Sequence, residues 1–138
     1  MKTYIYIIIT LAFISCHSDD GDSHNPYFNP PEWLIGTWDH SQETAFGKSY
    51  IITNKTVILE YQNGDHLDYK EHLMKNPNET LIEHEISDTE YRYTIRDKSS
   101  YETLGDYTVT FVKISNNELR QTIETMHSIS TSTYYKRN

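Results

Sequence analysis

The run Trp33-Leu34-Ile35-Gly36-Thr37-Trp38 opens the part of the chain that we expect to fold, residues 31–138. It follows a segment dominated by Asp, Ser, Asn and Pro, and it leads into the first candidate strand, residues 34–40. Beyond it, short segments of alternating apolar and polar residues recur about every ten residues, separated by turn-forming residues. This spacing is typical of an all-β domain.

Alternation also assigns the faces of the predicted strands. Tyr107, Val109 and Phe111 lie on one side of a strand, and the threonines between them point to the other side. Asn63-Gly64 predicts a type I′ turn, because both residues tolerate a positive φ. The predicted strands cover residues 34–40, 50–53, 57–62, 66–74, 81–86, 91–96, 106–114, 119–126 and 129–136.

These strands predict an antiparallel up-and-down meander of about eight or nine strands. Closure into a small barrel would hide every strand edge, and a two-sheet β-sandwich is the alternative. The chain has 12 tyrosines, a residue that suits half-buried strands. We expect tyrosine and threonine to supply much of the packing that aliphatic residues provide elsewhere.

Gly36-Thr37-Trp38 resembles the Gly-x-Trp signature of lipocalins and related calycin barrels, most closely the small lipocalin-like domains of bacterial lipoproteins. The resemblance implies that Gly36 bends the chain into the first strand and that Trp38 plugs the base of the barrel. It also implies that a basic side chain at the end of the last strand, Arg137 or Lys136, covers Trp38 through a cation–π contact. The alternative for Trp38 is an ordinary core aromatic residue.

The first sixteen residues have the layout of a secretory signal. Lys2 supplies a positive start, and the apolar run that follows is shorter than the about 20 residues that span a bilayer. Phe13-Ile14-Ser15-Cys16 resembles the lipobox of bacterial lipoproteins. The resemblance implies that residues 1–15 are removed and that Cys16 is acylated to anchor the chain in a membrane. The alternative for Cys16 is a buried thiol.

Residues 16–30 lack hydrophobic periodicity and predict a flexible acidic tether between the anchor and the domain. Its cluster Asp19-Asp20-Gly21-Asp22 resembles the export signal of surface lipoproteins in Bacteroidota. We therefore expect a lipid-anchored protein of the bacterial cell envelope, at the outer membrane. Display on the cell surface is what the acidic cluster implies.

The sequence contains none of the common catalytic or phosphate-binding motifs, so we predict a non-enzymatic protein without a catalytic site, metal or cofactor. His66, Asp68, Lys70 and His72 share a face of the predicted strand 66–74. Carboxylate and imidazole groups could bind a metal, but the lysine would repel it. A solvated face is the simpler interpretation.

A further histidine, His84, lies between Ile82 and Ile86 on what alternation predicts to be an inward face. Glu83 and Glu85 then belong to the solvated face. A buried or cavity-lining polar role fits His84 better than that of a metal ligand.

Binding is the remaining function class. Tyr61, Tyr69, Tyr91, Tyr93 and Tyr107 could line a cavity for a small apolar or amphipathic ligand, because tyrosine combines an apolar ring with a polar tip. The alternative is that these side chains form the core.

The net charge of −8 excludes nucleic acid as a partner, since affinity for phosphates requires clustered Lys and Arg. The same charge favours a basic protein partner, so an inhibitor or immunity-type binding module is the alternative function.

Overall fold

The structure is a computed structural model that describes residues 25–42, 48–98 and 106–138. The predicted signal peptide 1–15, Cys16 and the greater part of the predicted tether 16–30 lie outside the described residues.

Within these ranges the chain forms one sheet of nine antiparallel strands, which confirms the predicted all-β meander. The order across the sheet is β4-β3-β2-β1-β9-β8-β7-β6-β5. A single curled sheet, rather than the two sheets of the sandwich alternative, makes a half-barrel. The strands are β1 Gly36–His40, β2 Ser49–Ile52, β3 Val57–Glu60, β4 His66–Asp68, β5 Glu79–Ile86, β6 Glu90–Asp97, β7 Tyr107–Lys113, β8 Glu118–Thr125 and β9 Ile129–Lys136.

The half-barrel has its two edges at β4 and β5, which are consecutive along the chain. Helix α1, Tyr69–Lys75, connects them and contacts β3, β4 and β5. The predicted closure by strand pairing is therefore incomplete in the described residues. The helix lies where pairing of the two edge strands would have closed the barrel.

Helix α1 replaces most of the strand predicted over 66–74. Asp68 is its N-cap, and its Oδ1 accepts hydrogen bonds from the backbone N–H of Lys70 at 2.9 Å and of Glu71 at 3.3 Å. Tyr69 and Leu73 are buried one helical turn apart. Because α1 rotates about 100° per residue, the predicted common face of residues 66, 68, 70 and 72 does not exist.

The turn at Asn63-Gly64 also differs from the prediction. Gly64 has a φ of 88°, but no non-glycine residue in the described ranges has a positive φ, so the turn is not type I′. Tyr61 N–H donates to the carbonyl of Asp65 at 2.9 Å, and Asn63 Oδ1 accepts from the Asp65 N–H at 3.0 Å. The asparagine side chain thus stabilises a longer loop without adopting a left-handed backbone.

Strand β5 has a register shift between Glu83 and Glu85, and this shift reverses the predicted faces of Glu83 and His84. Glu85 pairs with the exposed Arg92 and lies on the outer face, as predicted. Glu83 pairs across the sheet with the buried Tyr93, so it lies on the inner face. His84 is exposed, with Nε2 2.8 Å from Thr94 Oγ1. The inward prediction for His84 was wrong because it carried the alternation through the bulge.

Aromatic rings pack edge to face through the core. Phe28 and Tyr93 have ring centroids 5.0 Å apart at 84°, and Tyr50 and Phe111 have centroids 5.4 Å apart at 87°. Phe28 is only 2% exposed, so the packed part of the chain begins ahead of Pro31. The core side chains are Phe28, Leu34, Trp38, Tyr50, Ile52, Val57, Leu59, Tyr69, Leu73, Tyr91, Tyr93, Ile95, Val109, Phe111, Leu119 and Tyr134.

Candidate functional site

One end of the half-barrel is filled by Trp38. Its side chain is fully buried, and its indole Nε1 donates to the carbonyl oxygen of Leu34 at 2.8 Å. Lys136 lies opposite Trp38 in the pairing of β1 with β9, and its Nζ is 5.2 Å from the Trp38 ring centroid. The basic side chain over Trp38 is therefore that of Lys136.

Arg137, the other residue predicted for this position, points away from Trp38. Its Nη2 and Nε lie 2.6 and 3.0 Å from the two carboxylate oxygens of Asp39. Successive residues of a strand face opposite sides, so Lys136 and Arg137 cannot both cover the same ring.

Gly36 makes room for the lysine side chain. It has a φ of 139°, and a Cβ at this position would lie 2.9 Å from Lys136 Cε. The backbone conformation therefore favours glycine, and a Cβ here would displace the flexible end of the lysine side chain.

A pocket of about 490 Å³ opens on the concave side of the sheet. This volume falls within the range of roughly 300–1,000 Å³ typical of sites for small molecules. Aromatic and imidazole rings, hydroxyl groups and two amides form its wall. The lining residues are His40, Ser41, Gln42, Tyr50, Leu59, Tyr69, Gln121, Ile123, Ser130, Thr131, Ser132, Thr133 and Tyr134.

Small residues on β9 create the space for the pocket. Ser132 and Ser130 lie opposite Gln121 and Ile123 of β8, so these serines share the inner face. Further along β9, the larger Tyr134 fills the corresponding position and is buried. The sheet is therefore packed solid toward Trp38 and hollow toward the start of β9.

Gln121 is the buried polar group at the centre of the pocket wall. It is only 2% exposed, and its Nε2 donates to the hydroxyl oxygen of Tyr50 at 2.5 Å. The Tyr50 ring in turn packs edge to face on Tyr134, with centroids 5.2 Å apart. His40 also packs edge to face on Tyr134, with ring centroids 4.9 Å apart. These contacts hold the polar groups of the wall in fixed positions.

The pocket tyrosines hold their protons tightly. Burial raises the pKa of the Tyr50 hydroxyl well above 10.0, with further contributions from Tyr69 and Tyr134. Burial also raises the pKa of Tyr69 to about 12 and shifts that of Tyr134 upward. At neutral pH each hydroxyl is therefore uncharged and can both donate and accept a hydrogen bond.

Of the tyrosines predicted to line a cavity, Tyr69 lines this pocket. Tyr91 and Tyr93 are fully buried in the core, which matches the alternative interpretation for these side chains. Tyr61 and Tyr107 are partly buried and pack against the core.

The sequence prediction missed Tyr50, Gln121 and Tyr134 as pocket residues. Alternation in strand 119–126 does place Gln121 between Leu119 and Ile123 on the inner face. A glutamine on an otherwise apolar strand face is the sequence feature that could have predicted a polar group in the pocket wall.

The described residues contain no group of three or more His, Cys, Asp or Glu side chains that could hold a metal ion. His72 and Glu79 instead form a pair, with Nε2 and Oε2 2.8 Å apart. None of the helices in the described ranges is long and apolar enough to cross a membrane.

No protein-family model, curated protein or solved structure matches the chain.

Proposed function

We propose that this protein is a non-enzymatic, lipid-anchored lipoprotein of the bacterial cell envelope whose lipocalin-like domain binds a small amphipathic ligand. The observation that carries the ligand-binding part is the concave pocket of about 490 Å³. Its wall combines apolar rings with a buried amide and hydroxyl groups, the mixture that an amphipathic ligand requires.

The sequence supports the anchor. An apolar run followed directly by Phe13-Ile14-Ser15-Cys16 is the pattern of a lipidated signal peptide. Several acyl chains on Cys16 would hold the chain stably, because each buried methylene contributes about 0.8 kcal/mol and one chain alone binds marginally. The acidic segment after Cys16 supports placement at the outer membrane, facing the cell surface.

Native mass spectrometry of residues 17–138, purified from the native host, tests ligand binding. The described core draws only on residues from Phe28 to Tyr134, so this form retains all of it. A Ser132→Trp variant fills the pocket and is expected to lose the retained ligand. Thr110→Trp, on the outer face of β7 between the buried Val109 and Phe111 and away from the lining residues, is the matched control. Equal ligand retention in both variants would contradict the pocket proposal.

Membrane fractionation tests the anchor. Inhibition of the lipoprotein signal peptidase by globomycin is expected to accumulate the uncleaved chain. Replacement Cys16→Ser is expected to release the protein from membranes. A Cys16→Ser chain that still sediments with membranes would refute the lipoprotein assignment.

The second candidate function is a protein-binding module of the inhibitor or immunity type. The net charge of −8 favours it, because an acidic surface attracts a basic partner. Salt-sensitive capture of a basic envelope protein that persists in Ser132→Trp would support this function over ligand binding.

A further inference from the structure

The side chains of the pocket wall restrict the charge of the ligand as well as its amphipathic character. The polar groups of Tyr50, Tyr69, Tyr134 and Gln121 are hydroxyls and an amide. Ser132 adds a further hydroxyl from β9. Among the described lining residues there is no Asp, Glu, Lys or Arg.

The charged side chains closest in sequence to the pocket residues of β1 and β9 are engaged elsewhere. Asp39 precedes the lining residue His40 but forms its ion pair with Arg137, with Asp39 Oδ1 and Arg137 Nη2 2.6 Å apart. Lys136 lies on the inner face but over the Trp38 ring, at the filled end of the half-barrel. These charges therefore serve the scaffold rather than a ligand.

A charged ligand would lose part of its hydration in this pocket without gaining an opposite charge from the described lining residues. Transfer of an ionised group into a protein interior is costly unless an opposite charge or several hydrogen bonds compensate it. The tyrosine hydroxyls remain protonated, so they present no anion to a cationic ligand. An anionic ligand would in addition meet the field of a chain with a net charge of −8.

Neutral hydrogen-bonding groups fit the same wall well. Hydroxyl and amide side chains can each donate and accept, so they pair with hydroxyl, carbonyl or amide groups in either direction. The aromatic rings of Tyr50 and Tyr134, with Leu59 and Ile123, offer the apolar contact area. Resting on the proposed binding function, we infer that the ligand is an uncharged molecule that combines an apolar face with hydroxyl, carbonyl or amide groups.

A matched series of probes tests this ligand class. Naphthalene-2-carboxamide, naphthalene-2-carboxylate and naphthalene-2-carboxamidine share one ring system and differ in charge. Each is titrated into residues 17–138 at about pH 8, above the ordinary range of histidine titration. NMR signals of Gln121 and Ser132 report binding in the pocket. The neutral carboxamide is expected to bind at least about tenfold more tightly than either charged probe.

A variant that adds one charge to the wall sharpens the test. Ser132→Asp places a carboxylate on the inner face, and it is expected to shift the preference toward the carboxamidine by about tenfold or more. Thr110→Asp adds the same charge on the outer face of β7 and is expected to retain the preference for the carboxamide.

The outcomes separate this inference from the proposed function. A charged probe that binds the unmodified pocket as tightly as the carboxamide overturns the neutral-ligand inference and leaves the pocket in place. If none of the probes perturbs the signals of Gln121 and Ser132, the pocket proposal itself fails. Equal preferences in Ser132→Asp and Thr110→Asp would also overturn the inference, because the wall would then not control the selection.

Discussion

At the scale of single residues, Gly36 and Lys136 constrain each other. The glycine adopts a φ of 139°, and its missing side chain leaves space for the lysine stem that crosses toward Trp38. The glycine conformation and the cation–π contact are thus linked, because both depend on the close approach of β9 to β1 at Gly36.

Gly36→Ala is therefore expected to destabilise the fold by about 1–3 kcal/mol, through backbone strain and displacement of Lys136. Lys136→Ala alone is expected to cost about 0.5–2 kcal/mol by loss of the cation–π contact. The double variant should lose less than the sum, because the clash with the lysine is then absent. Urea unfolding of the four proteins measures this, and strictly additive losses would contradict a shared cause.

Two buried tyrosines offer a second comparison. The Tyr93 hydroxyl is buried and has no hydrogen-bond partner within the described part of the chain. Tyr50, in contrast, accepts a hydrogen bond from the buried amide of Gln121. The same chemical change should therefore have opposite effects at the two positions.

We expect Tyr93→Phe to leave the free energy of unfolding unchanged or to raise it. The substitution removes a hydroxyl that is desolvated in the folded state without gaining a hydrogen bond. Tyr50→Phe should lower it by about 1–3 kcal/mol, because the Gln121 amide loses its partner in a buried place. Chemical denaturation of both variants measures the difference. A larger loss in Tyr93→Phe than in Tyr50→Phe would contradict this account.

The sequence predicted the residue types that meet at Trp38, but it did not decide which of the two basic residues covers the ring. Gly36 and Trp38 stand where the Gly-x-Trp resemblance placed them, at the start of β1. The choice between Lys136 and Arg137 required the register of β1 on β9, which pairs Trp38 with Lys136. That register depends on contacts between residues about a hundred positions apart, which local alternation does not encode.

At the scale of elements, helix α1 is the feature that the sequence pattern concealed. Leu67, Tyr69 and Leu73 fit an alternating strand, yet Tyr69 and Leu73 equally fit one face of a helix. The deciding signal was Asp68-Tyr69-Lys70-Glu71, which has the Asp-x-x-Glu spacing of a helix start. The predicted strand ignored this cap, and β4 accordingly ends at Asp68.

Asp68→Ala is expected to destabilise the protein by about 1–2 kcal/mol, because the first N–H groups of α1 lose their acceptor. The hydroxyl of Thr56, 2.6 Å from Asp68 Oδ1, loses its closest partner and retains longer contacts with the Val57 carbonyl and the Lys70 N–H. Asp68→Asn should retain most of the stability, since an amide oxygen also caps a helix. Hydrogen exchange of residues 69–75 should accelerate in Asp68→Ala and remain slow in Asp88→Ala, an exposed turn control. Equal exchange in the two alanine variants would show that the cap does not hold the helix.

At the scale of the whole molecule, tyrosine takes the place of aliphatic residues, and this gives the stability a particular dependence on pH. Burial raises the pKa of a set of core tyrosines above the ordinary value of 10.0. A raised pKa in the folded state means that the unfolded chain releases its protons first as the pH rises. The tyrosines concerned are Tyr50, Tyr69, Tyr91, Tyr93, Tyr107 and Tyr134.

The stabilising contribution of these groups is fully present below pH 10.0 and is lost progressively above it. Tyr69 alone should lower the free energy of unfolding by up to about 1.4 kcal/mol per pH unit between the two pKa values. Urea unfolding at a series of alkaline pH values measures the slope, and Tyr69→Phe should make it shallower. Ultraviolet titration of the folded protein provides the check, because early ionisation of the buried tyrosines would contradict the prediction.

The all-β meander could be predicted at this scale because each strand carries its own alternation and each turn its own residues. The half-barrel could not, because it depends on α1 lying between the two edge strands. The position of the pocket likewise depends on which small residues of β9 lie opposite which side chains of β8.

The pairing of β1 with β9 has a consequence for how the chain reaches its final form. Apart from the pairing of β1 with β9, strands β1–β4 pair with one another in the N-terminal half and β5–β9 pair with one another in the C-terminal half. A single long-range ladder between β1 and β9 joins the two halves, and closing so large a loop makes it a slow, late step of folding. The last strand must therefore be present before the first can complete its pairing. Until the last residues of β9 are available, β1 therefore keeps one unpaired edge and the sheet remains in two separate halves.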